Sequence, residues 1–244
     1  MKTAAHRTAI IRGELSRPTR LALTTQILTS DDTFFDYGCG RGEDVTGLRK
    51  MGFPAHGWDP NHWPDQKRVD ADIVNIGYVI NVIADMDERV EALKNAWSHT
   101  GKVLLISARL NNEVRSLSRA VQHGDGYLTE HDTFQKFYSQ AELRTWIDNT
   151  LEVESVAVAP GVFAVFRQEE DANQFLIRNR RRRAITVKIS RADRIYDEHR
   201  ELLDELVTYF TTRGRLPRKA EELNLQLRLK ESVGGLRRGW SVWQ

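Results

Sequence analysis

Three glycines in five positions follow a short apolar run in the segment FFDYGCGRGED (34–44). Glycine adopts backbone angles that are closed to other residues, at a cost in chain entropy. So dense a cluster directly after a strand-like run predicts a tight turn that a ligand approaches closely. In an open α/β sheet, ligands bind at the carboxyl ends of strands, and a strand, a glycine turn and a helix start form that place. The candidate residues of the turn are Gly38, Gly40 and Gly42.

Carboxylates flank this turn on both sides. Asp36 lies two residues before the first glycine, and Glu43 and Asp44 begin the predicted helix. A dinucleotide-binding turn has the spacing G-x-G-x-x-G and holds a pyrophosphate at the helix N-terminus. Here the spacing is G-x-G-x-G, and the acids would repel a pyrophosphate. They favour a ligand that has a cationic amino group and no phosphate.

A further acid, Asp59, ends the second predicted strand in GWDP (57–60). An acid at this place can accept hydrogen bonds from both hydroxyls of a ribose. A nucleoside with a charged amino-acid tail and no phosphate is S-adenosylmethionine, which is the cofactor that the sequence predicts. An NAD site and a glycine turn that serves only for packing are the alternatives.

The spacing D-x-G-x-G-x-G, with an acid after the second strand, resembles the class I, Rossmann-like S-adenosylmethionine-dependent methyltransferases over about residues 30–168. A closer resemblance is to a narrower family, the methyltransferases associated with DNA phosphorothioation. The segments that carry it are HRTAIIRGELSRP (6–18), FDYGCGRGEDV (35–45), GWDP (57–60), NIGYVINVI (75–83), GDGYLTEHDTFQKFYSQAEL (124–143) and APGVFAVFR (159–167).

The resemblance implies roles for individual residues. The glycine loop packs against the methionine part of the cofactor, Asp36 supports its amine, and Asp59 binds the ribose. The implied cofactor-binding residues are Asp36, Tyr37, Gly38, Cys39, Gly40, Gly42, Asp59, Pro60 and Asn75.

The resemblance also implies a methyltransferase that acts on nucleic acid, or within a phosphorothioation-associated DNA modification system that supplies protein partners. The alternative is a non-catalytic S-adenosylmethionine-binding subunit with a regulatory or scaffold role.

The elements that must position these residues alternate between strand-like and helix-like segments up to about residue 168. This alternation predicts an α/β fold, which is a Rossmann-like, mostly parallel sheet with helices on both faces. Pro160 and Gly161 predict a closing antiparallel hairpin, and Ser139 with Glu142 predicts a helix-capping box. Val45, Leu48 and Met51 recur at helical spacing after the glycine turn, and Gly52 is predicted to end this helix as its C-cap residue.

The stretch after Asp59, PNHWPDQKRVDADIV (60–74), leaves room for only a short helix or third strand. The acidic and hydrophobic residues that usually contact the adenine after a third strand therefore cannot be identified in this sequence. Trp58, His62 and Trp63 are candidates to stack on the adenine, and ordinary packing is the alternative for each.

Candidate catalytic residues come first from NIGY (75–78), at the position where amino-methyltransferases of adenine and cytosine carry N/D-P-P-Y. Asn75 and Tyr78 match that motif, whereas Ile76-Gly77 replaces both prolines. In the motif the aromatic residue stacks on a flipped base. The alternative is that Asn75 and Asn81 shape the cofactor pocket or cap a turn.

ARLNNE (108–113) follows the fifth predicted strand, and HGDGYLTEHDTFQKFYSQ (123–140) is predicted to be a long polar and aromatic loop before a helix. Loops of this length in compact domains are usually functional or disordered. His123 is a candidate general base, with a solvated loop histidine as the alternative, and Asp125 is a further catalytic candidate. The candidates for substrate contact are Arg109, His123, Asp125, Thr133, Gln135, Lys136 and Tyr138.

Composition bounds the class of protein. Hydrophobic residues at 40% and charged residues at 29% of 244 positions are typical of a soluble globular chain with a sizeable core. The lone cysteine, Cys39, excludes an intrachain disulfide and a cysteine-based zinc site, and we expect no metal. The thiol is expected to fill space in the loop, with a nucleophilic role as the alternative. We expect a cytoplasmic protein without a secretory signal or a membrane span.

Charge divides the chain into two predicted parts. Residues 171–244 carry 17 Lys/Arg against 10 Asp/Glu, whereas residues 1–170 carry 19 against 24. We therefore expect a methyltransferase domain at 1–170 and a basic helical extension at 171–244. Five arginines lie within 177–183, and Arg180, Arg181, Arg182 and Arg183 are predicted to contact nucleic-acid phosphates, with a solvated linker as the alternative.

Two amphipathic helices are predicted in this extension, and they could form a helix-turn-helix reader or a protein-docking module. The terminal segment GWSVWQ (239–244) suggests a piece of a longer protein, or a core completed by association.

Overall fold

The computed structural model describes residues 13–117, 119–185, 195, 198–213, 216 and 228. The large sheet contains β1 (Phe34–Tyr37), β2 (Ala55–Trp58), β3 (Ala71–Gly77), β4 (Thr100–Ser107), β8 (Val156–Ala159) and β9 (Val162–Phe166). A small sheet contains β5 (Val121–His123), β6 (Gly126–Leu128) and β7 (Phe134–Gln135). The helices are α1 (Arg17–Thr24), α2 (Glu43–Lys50), α3 (Met86–Ser98), α4 (Gln140–Leu151), α5 (Glu169–Ile185) and α6 (Arg200–Arg213).

The large sheet has the strand order β2-β1-β3-β4-β9-β8. Strands β1 to β4 pair in parallel, and the hairpin β8–β9 adds antiparallel pairing against β4. The turn of the hairpin contains Gly161 at a φ of +72°, a left-handed conformation that suits glycine. The predicted α/β, mostly parallel sheet with an antiparallel C-terminal hairpin is confirmed.

Successive side chains of the strands pack on opposite faces of the sheet. Phe35 belongs to a core cluster with residues of α3 and α4, such as Leu93 and Leu143. Its neighbour Phe34 belongs to a second cluster with residues of α1, α2 and α5, such as Leu48. Helices therefore cover both faces, and this part of the fold prediction is confirmed. Because a parallel sheet is buried on both faces, its strands are continuous apolar runs in the sequence.

The connection between β2 and β3 is short and irregular. Residues 59–70 contain a single bridge, between Asp59 and Trp63, and no helix or longer strand. β2 is therefore the edge strand of the large sheet, and turns connect it to β3.

Two predictions about local structure were wrong. The segment 123–140 is not a long loop, because it contains β6, β7 and the start of α4, and the side chains of Phe134, Phe137 and Tyr138 are buried. The helix after the glycine turn does not extend to a C-cap at Gly52, because α2 ends at Lys50 with Met51 as its C-cap, and 56% of the Met51 surface is exposed. The capping box of α4 is confirmed by the bond from the Glu142 N–H to the Ser139 hydroxyl, at 3.0 Å.

The chain divides into two compact units, residues 1–180 and residues 181–244. The predicted domain boundary near residue 170 stays a prediction. In the second unit, α6 buries Leu202, Leu203 and Leu206. Apart from residue 228, the second helix of the predicted helix-turn-helix falls outside the described residues, and so does the segment 239–244. Within the described part of the chain, none of the helices combines the length and apolar character that crossing a membrane requires.

Candidate functional site

A cavity of about 820 Å³ opens at the carboxyl ends of β1, β2 and β3. Its volume falls within the range of small-molecule sites in proteins, roughly 300–1,000 Å³. Eight of the nine residues that the resemblance implies for cofactor binding line this cavity, and Gly42 does not. The strand ends bring these residues together because parallel strands all end at the same edge of the sheet.

The glycine turn is held in a conformation that other residues rarely adopt. Gly38, Gly40 and Gly42 have φ angles of +82°, +54° and +77°. A Cβ atom at Gly38 would lie 2.4 Å from Cγ2 of Val79, and one at Gly42 would lie 2.2 Å from the ring of Trp63. Side chains are thus excluded both by backbone conformation and by contact, and the turn exposes its backbone to the cavity.

Asp36 and Asn75 form a buried pair on neighbouring strands. The Asn75 Nδ2 donates to the Asp36 Oδ1 at 2.8 Å, and Asn75 is 1% exposed. Because an ionised carboxylate only accepts hydrogen bonds, this contact fixes the orientation of the Asn75 amide. Its Oδ1 then has no hydrogen-bond partner within the described residues. Since a buried acceptor without a donor costs about 1–3 kcal/mol, this oxygen fits a ligand that brings an N–H group.

Asp59 organises the turn around it. Its Oδ2 accepts from the Gly40 N–H at 3.0 Å, while its Oδ1 accepts from the N–H groups of Asn61 and His62, both at 2.9 Å. Burial acts to raise the pKa of Asp59, but these bonds outweigh it, so the pKa lies below its usual value. The carboxylate is therefore ionised at neutral pH, and its Oδ2 keeps capacity for a ribose hydroxyl.

The thiol of Cys39 lies in the same turn. Burial, followed by the nearby charges of Asp36 and Asp59, raises the pKa of this thiol far above its usual value. Because the nucleophilic form of cysteine is the thiolate, the arrangement favours a neutral, space-filling side chain.

Asp44 has a different role from the one that its position at the helix start suggests. Its Oδ1 accepts from the Ser16 N–H and its Oδ2 from the Thr19 hydroxyl, at 2.6 and 2.9 Å. The carboxylate thus anchors the start of α1 beside the cavity, where Ser16 is also a lining residue. A contact between residues 28 positions apart in sequence was not predictable from helix periodicity.

Of the three candidate adenine-stacking residues, Trp58 and His62 line the cavity. Trp58 packs against Tyr37 with ring centroids 5.1 Å apart, and the Arg68 guanidinium lies 4.0 Å from its ring centroid. Trp63 packs against Gly42 and does not line the cavity. The His62 Nδ1 contacts Asp59 at 3.2 Å. Sequence analysis missed Arg68, since a single arginine in a polar stretch gives no signal of its own.

The lining of the cavity is acidic. It includes seven carboxylate side chains and three guanidinium groups. At close range such an excess of negative charge favours a cationic ligand and opposes one with phosphates.

The candidate substrate residues separate into two groups. Tyr78, Arg109 and Gln135 line the cavity together with Asn75. Tyr78 has a φ of +59°, which is uncommon for a bulky residue and turns the chain sharply after β3.

The second group lies away from the cavity lining. His123 is exposed on β5, Thr133 bonds to Thr129 at 2.7 Å, and Tyr138 is buried in the core. None of the three lines the cavity. They are therefore poorly placed for contact with a substrate bound there.

Asp125, predicted as a catalytic candidate, lies outside the cavity lining and is bound to two cations. Its carboxylate contacts Arg89 at 2.8 Å and Lys136 at 3.0 Å, and Arg89 is itself buried. The hydrogen bonds from these two cations outweigh burial and lower the pKa of Asp125 to about 2. So weak a base, bound to two cations and outside the cavity lining, instead ties β6 and β7 to α3.

Arg180–Arg183, predicted to contact nucleic acid, lie within the helical backbone of α5, and their side chains fall outside the described part of the chain. Among the described residues, no group of three or more His, Cys, Asp or Glu side chains is arranged to hold a metal ion.

No family model and no curated protein matches the chain. Solved structures match it loosely. The CcbJ methyltransferase from Streptomyces caelestis is 11% identical, with a TM-score of 0.42 over 66% of this chain and 93% of that one. Magnesium protoporphyrin IX methyltransferase from Synechocystis, with bound S-adenosylhomocysteine, is 12% identical, with a TM-score of 0.43 over 67% and 93%. The sugar N-methyltransferase KedS8 from Streptoalloteichus is 15% identical, with a TM-score of 0.44 over 62% and 85%.

Proposed function

We propose that this chain is an S-adenosylmethionine-dependent methyltransferase. The observation that carries the proposal is the combination of a three-glycine turn, the Asp36–Asn75 pair and Asp59 around one acidic cavity. The first two features match the methionine part of S-adenosylmethionine, and the third matches its ribose.

The residues fit the cofactor as follows. Asp36 and the unpartnered Oδ1 of Asn75 are acceptors for the amino group of the methionine part. The backbone of the glycine turn lies against that part, since no side chain intervenes. Asp59 accepts a ribose hydroxyl through Oδ2, and Trp58 with Arg68 offers an aromatic and a cationic surface to the adenine. When bound, the cofactor supplies a methyl group on a positively charged sulfur.

The chain's own contribution is placement and electrostatics. Methyl transfer needs the acceptor atom held in line with the methyl carbon and the sulfur. Binding both reactants in that geometry lowers the barrier, because their translational and rotational entropy is lost on binding and not in the reaction step. The carboxylates around the cavity favour the cationic cofactor over its neutral product. The same charges oppose the pyrophosphate of NAD, which disfavours the dinucleotide alternative.

For the acceptor, we propose nucleic acid, within a phosphorothioation-associated DNA modification system. Support comes from the resemblance of the sequence segments and from the basic balance of residues 171–244, with five arginines in 177–183. The acidic cavity adds a constraint, since phosphates would be repelled from its interior. A nucleic acid would therefore place a single extruded base in the cavity and leave its backbone outside. A cytoplasmic location and protein partners from such a system belong to the same proposal.

The test is transfer of a labelled methyl group from S-adenosylmethionine to DNA, tRNA, phosphorothioated DNA and protein fractions, with S-adenosylhomocysteine measured as product. Label in a nucleic-acid fraction, lost in a Gly38→Ala variant, is the expected result. Cofactor binding without any turnover would favour the non-catalytic scaffold. Label confined to protein would refute the nucleic-acid assignment while keeping the enzyme class.

A further inference from the structure

The methionine part of S-adenosylmethionine has a carboxylate as well as an amine, and both are attached to the same carbon. In the proposed site, Asp36 and Asn75 accept from the amine, whereas the carboxylate needs a cation or N–H donors. Seven carboxylate side chains line the cavity, against three guanidinium groups and, among the described residues, no lysine. Because like charges in one cavity repel each other, a ligand carboxylate needs a partner cation there.

Two of the three guanidinium groups are engaged elsewhere in the cavity. Arg68 precedes β3 and lies 4.0 Å from the ring centroid of Trp58, at the end that is proposed to bind the adenine. Arg109 follows β4, and its Nε donates to the Glu113 Oε2 at 3.2 Å. Neither group belongs to the glycine turn, which is the segment proposed to contact the methionine part.

Arg41 lies in the glycine turn itself, between Gly40 and Gly42, and it is an exposed residue of the cavity lining. The backbone on each side of it is bound. The Gly40 N–H donates to the Asp59 Oδ2 at 3.0 Å. The Gly42 N–H donates to the Cys39 carbonyl at 2.9 Å. The guanidinium makes no hydrogen bond or ion pair within the described residues, so a ligand competes with no protein group for it.

We propose that the Arg41 guanidinium binds the carboxylate of the methionine part, so that the cavity selects a cofactor that has this carboxylate. This inference rests on the proposed function and adds a specificity-determining residue to it. A guanidinium matches a carboxylate with two parallel N–H···O bonds, which add orientation to attraction. With the amine at Asp36 and the carboxylate at Arg41, the methionine part is bound at two points, and these contacts orient the sulfur.

The test compares S-adenosylmethionine with its decarboxylated form, which keeps the sulfonium and the amine. By charge alone the acidic cavity favours the decarboxylated form, because that ligand has lost its only negative charge. Titration calorimetry at low ionic strength should nevertheless show that the wild type binds S-adenosylmethionine about tenfold more tightly. This figure takes the low end of the strength of a hydrogen bond to a charged group, because solvent weakens an ion pair at an exposed side chain.

Three variants connect this preference to the Arg41 side chain. Arg41→Gln removes the charge, so it should lose or reverse the preference while it binds the decarboxylated form at least as tightly as the wild type does. Arg41→Lys keeps the charge without the paired N–H geometry and should retain part of the preference. Lys50→Gln removes an exposed cation of α2 outside the cavity lining and should behave like the wild type.

Each preference is a ratio of two affinities within one protein, so a moderate loss of stability in a variant leaves the comparison intact. The inference is overturned if the wild type does not prefer S-adenosylmethionine, or if Arg41→Gln keeps the preference of the wild type. An equal loss of affinity for both ligands in Arg41→Gln also overturns it, because Arg41 would then support the turn. Absent binding of S-adenosylmethionine by the wild type overturns the proposed function itself.

Discussion

The Asp59 carboxylate supports the glycine turn and is proposed to bind the ribose, and replacing Asp59 with alanine tests the second role. Its Oδ1 already accepts from two backbone N–H groups, and its Oδ2 accepts only from the Gly40 N–H among the described residues. One hydrogen bond from a ribose hydroxyl is therefore expected, rather than the pair that the resemblance suggests. A hydrogen bond to a charged group contributes about 1.5–3 kcal/mol, which corresponds to about a 10- to 150-fold loss of affinity in Asp59→Ala.

Calorimetry with S-adenosylhomocysteine measures that loss, and its 2′-deoxy counterpart distinguishes the ribose contact from support of the turn. If Asp59 binds the ribose, the wild type prefers the hydroxylated ligand and Asp59→Ala loses most of this preference. Asp65→Ala, which removes an exposed acid from the same stretch outside the cavity lining, should bind like the wild type. An unchanged affinity in Asp59→Ala, or an equal loss for both ligands, would refute the ribose contact.

Three further outcomes are expected. Gly38→Ala should weaken S-adenosylmethionine binding by at least about tenfold, because its Cβ would overlap Val79 at a positive φ, whereas Gly13→Ala should not. The depressed pKa of Asp125, about 2, means that its stabilising contribution is complete above about pH 4 and is lost as the pH falls through 2. The free energy of unfolding measured with urea should therefore fall less steeply from pH 5 to pH 2 in Asp125→Asn than in the wild type. An identical fall in both proteins would contradict the stabilising role of the Asp125 carboxylate. Replacing Arg180–Arg183 with alanines should flatten the slope of log affinity for duplex DNA against log salt by about 3–4 units, and an unchanged slope would identify a solvated linker.

Much of the fold could be predicted because its signals are local. The strands β1, β3 and β4 are continuous apolar runs, and the turn after β1 contains three glycines that no ordinary helix or strand would carry. The small sheet was missed for the opposite reason. Strands of two or three residues show no periodicity, and their stability comes from burial of Phe134 and its neighbours, which only the tertiary structure reveals.

The sequence predicted those residues of the candidate site that belong to short motifs. Asp36, the glycine turn and Asp59 follow from spacing, whereas their partners come from distant parts of the chain. Asn81 and Gln135 are separated by 54 positions, and no periodicity indicates that one amide binds the other. The same holds for Asp125, whose bonds to Arg89 and Lys136 turn an apparent base into a structural anchor.

Titration calorimetry of the full chain with S-adenosylmethionine, run beside NAD⁺ as the competing ligand class, decides which cofactor this cavity binds. We expect saturable binding of one S-adenosylmethionine per chain, at least about tenfold weaker binding in Gly38→Ala, and no binding of NAD⁺. Binding of NAD⁺, or no heat with S-adenosylmethionine from a protein that unfolds cooperatively, would contradict this assignment of the cofactor.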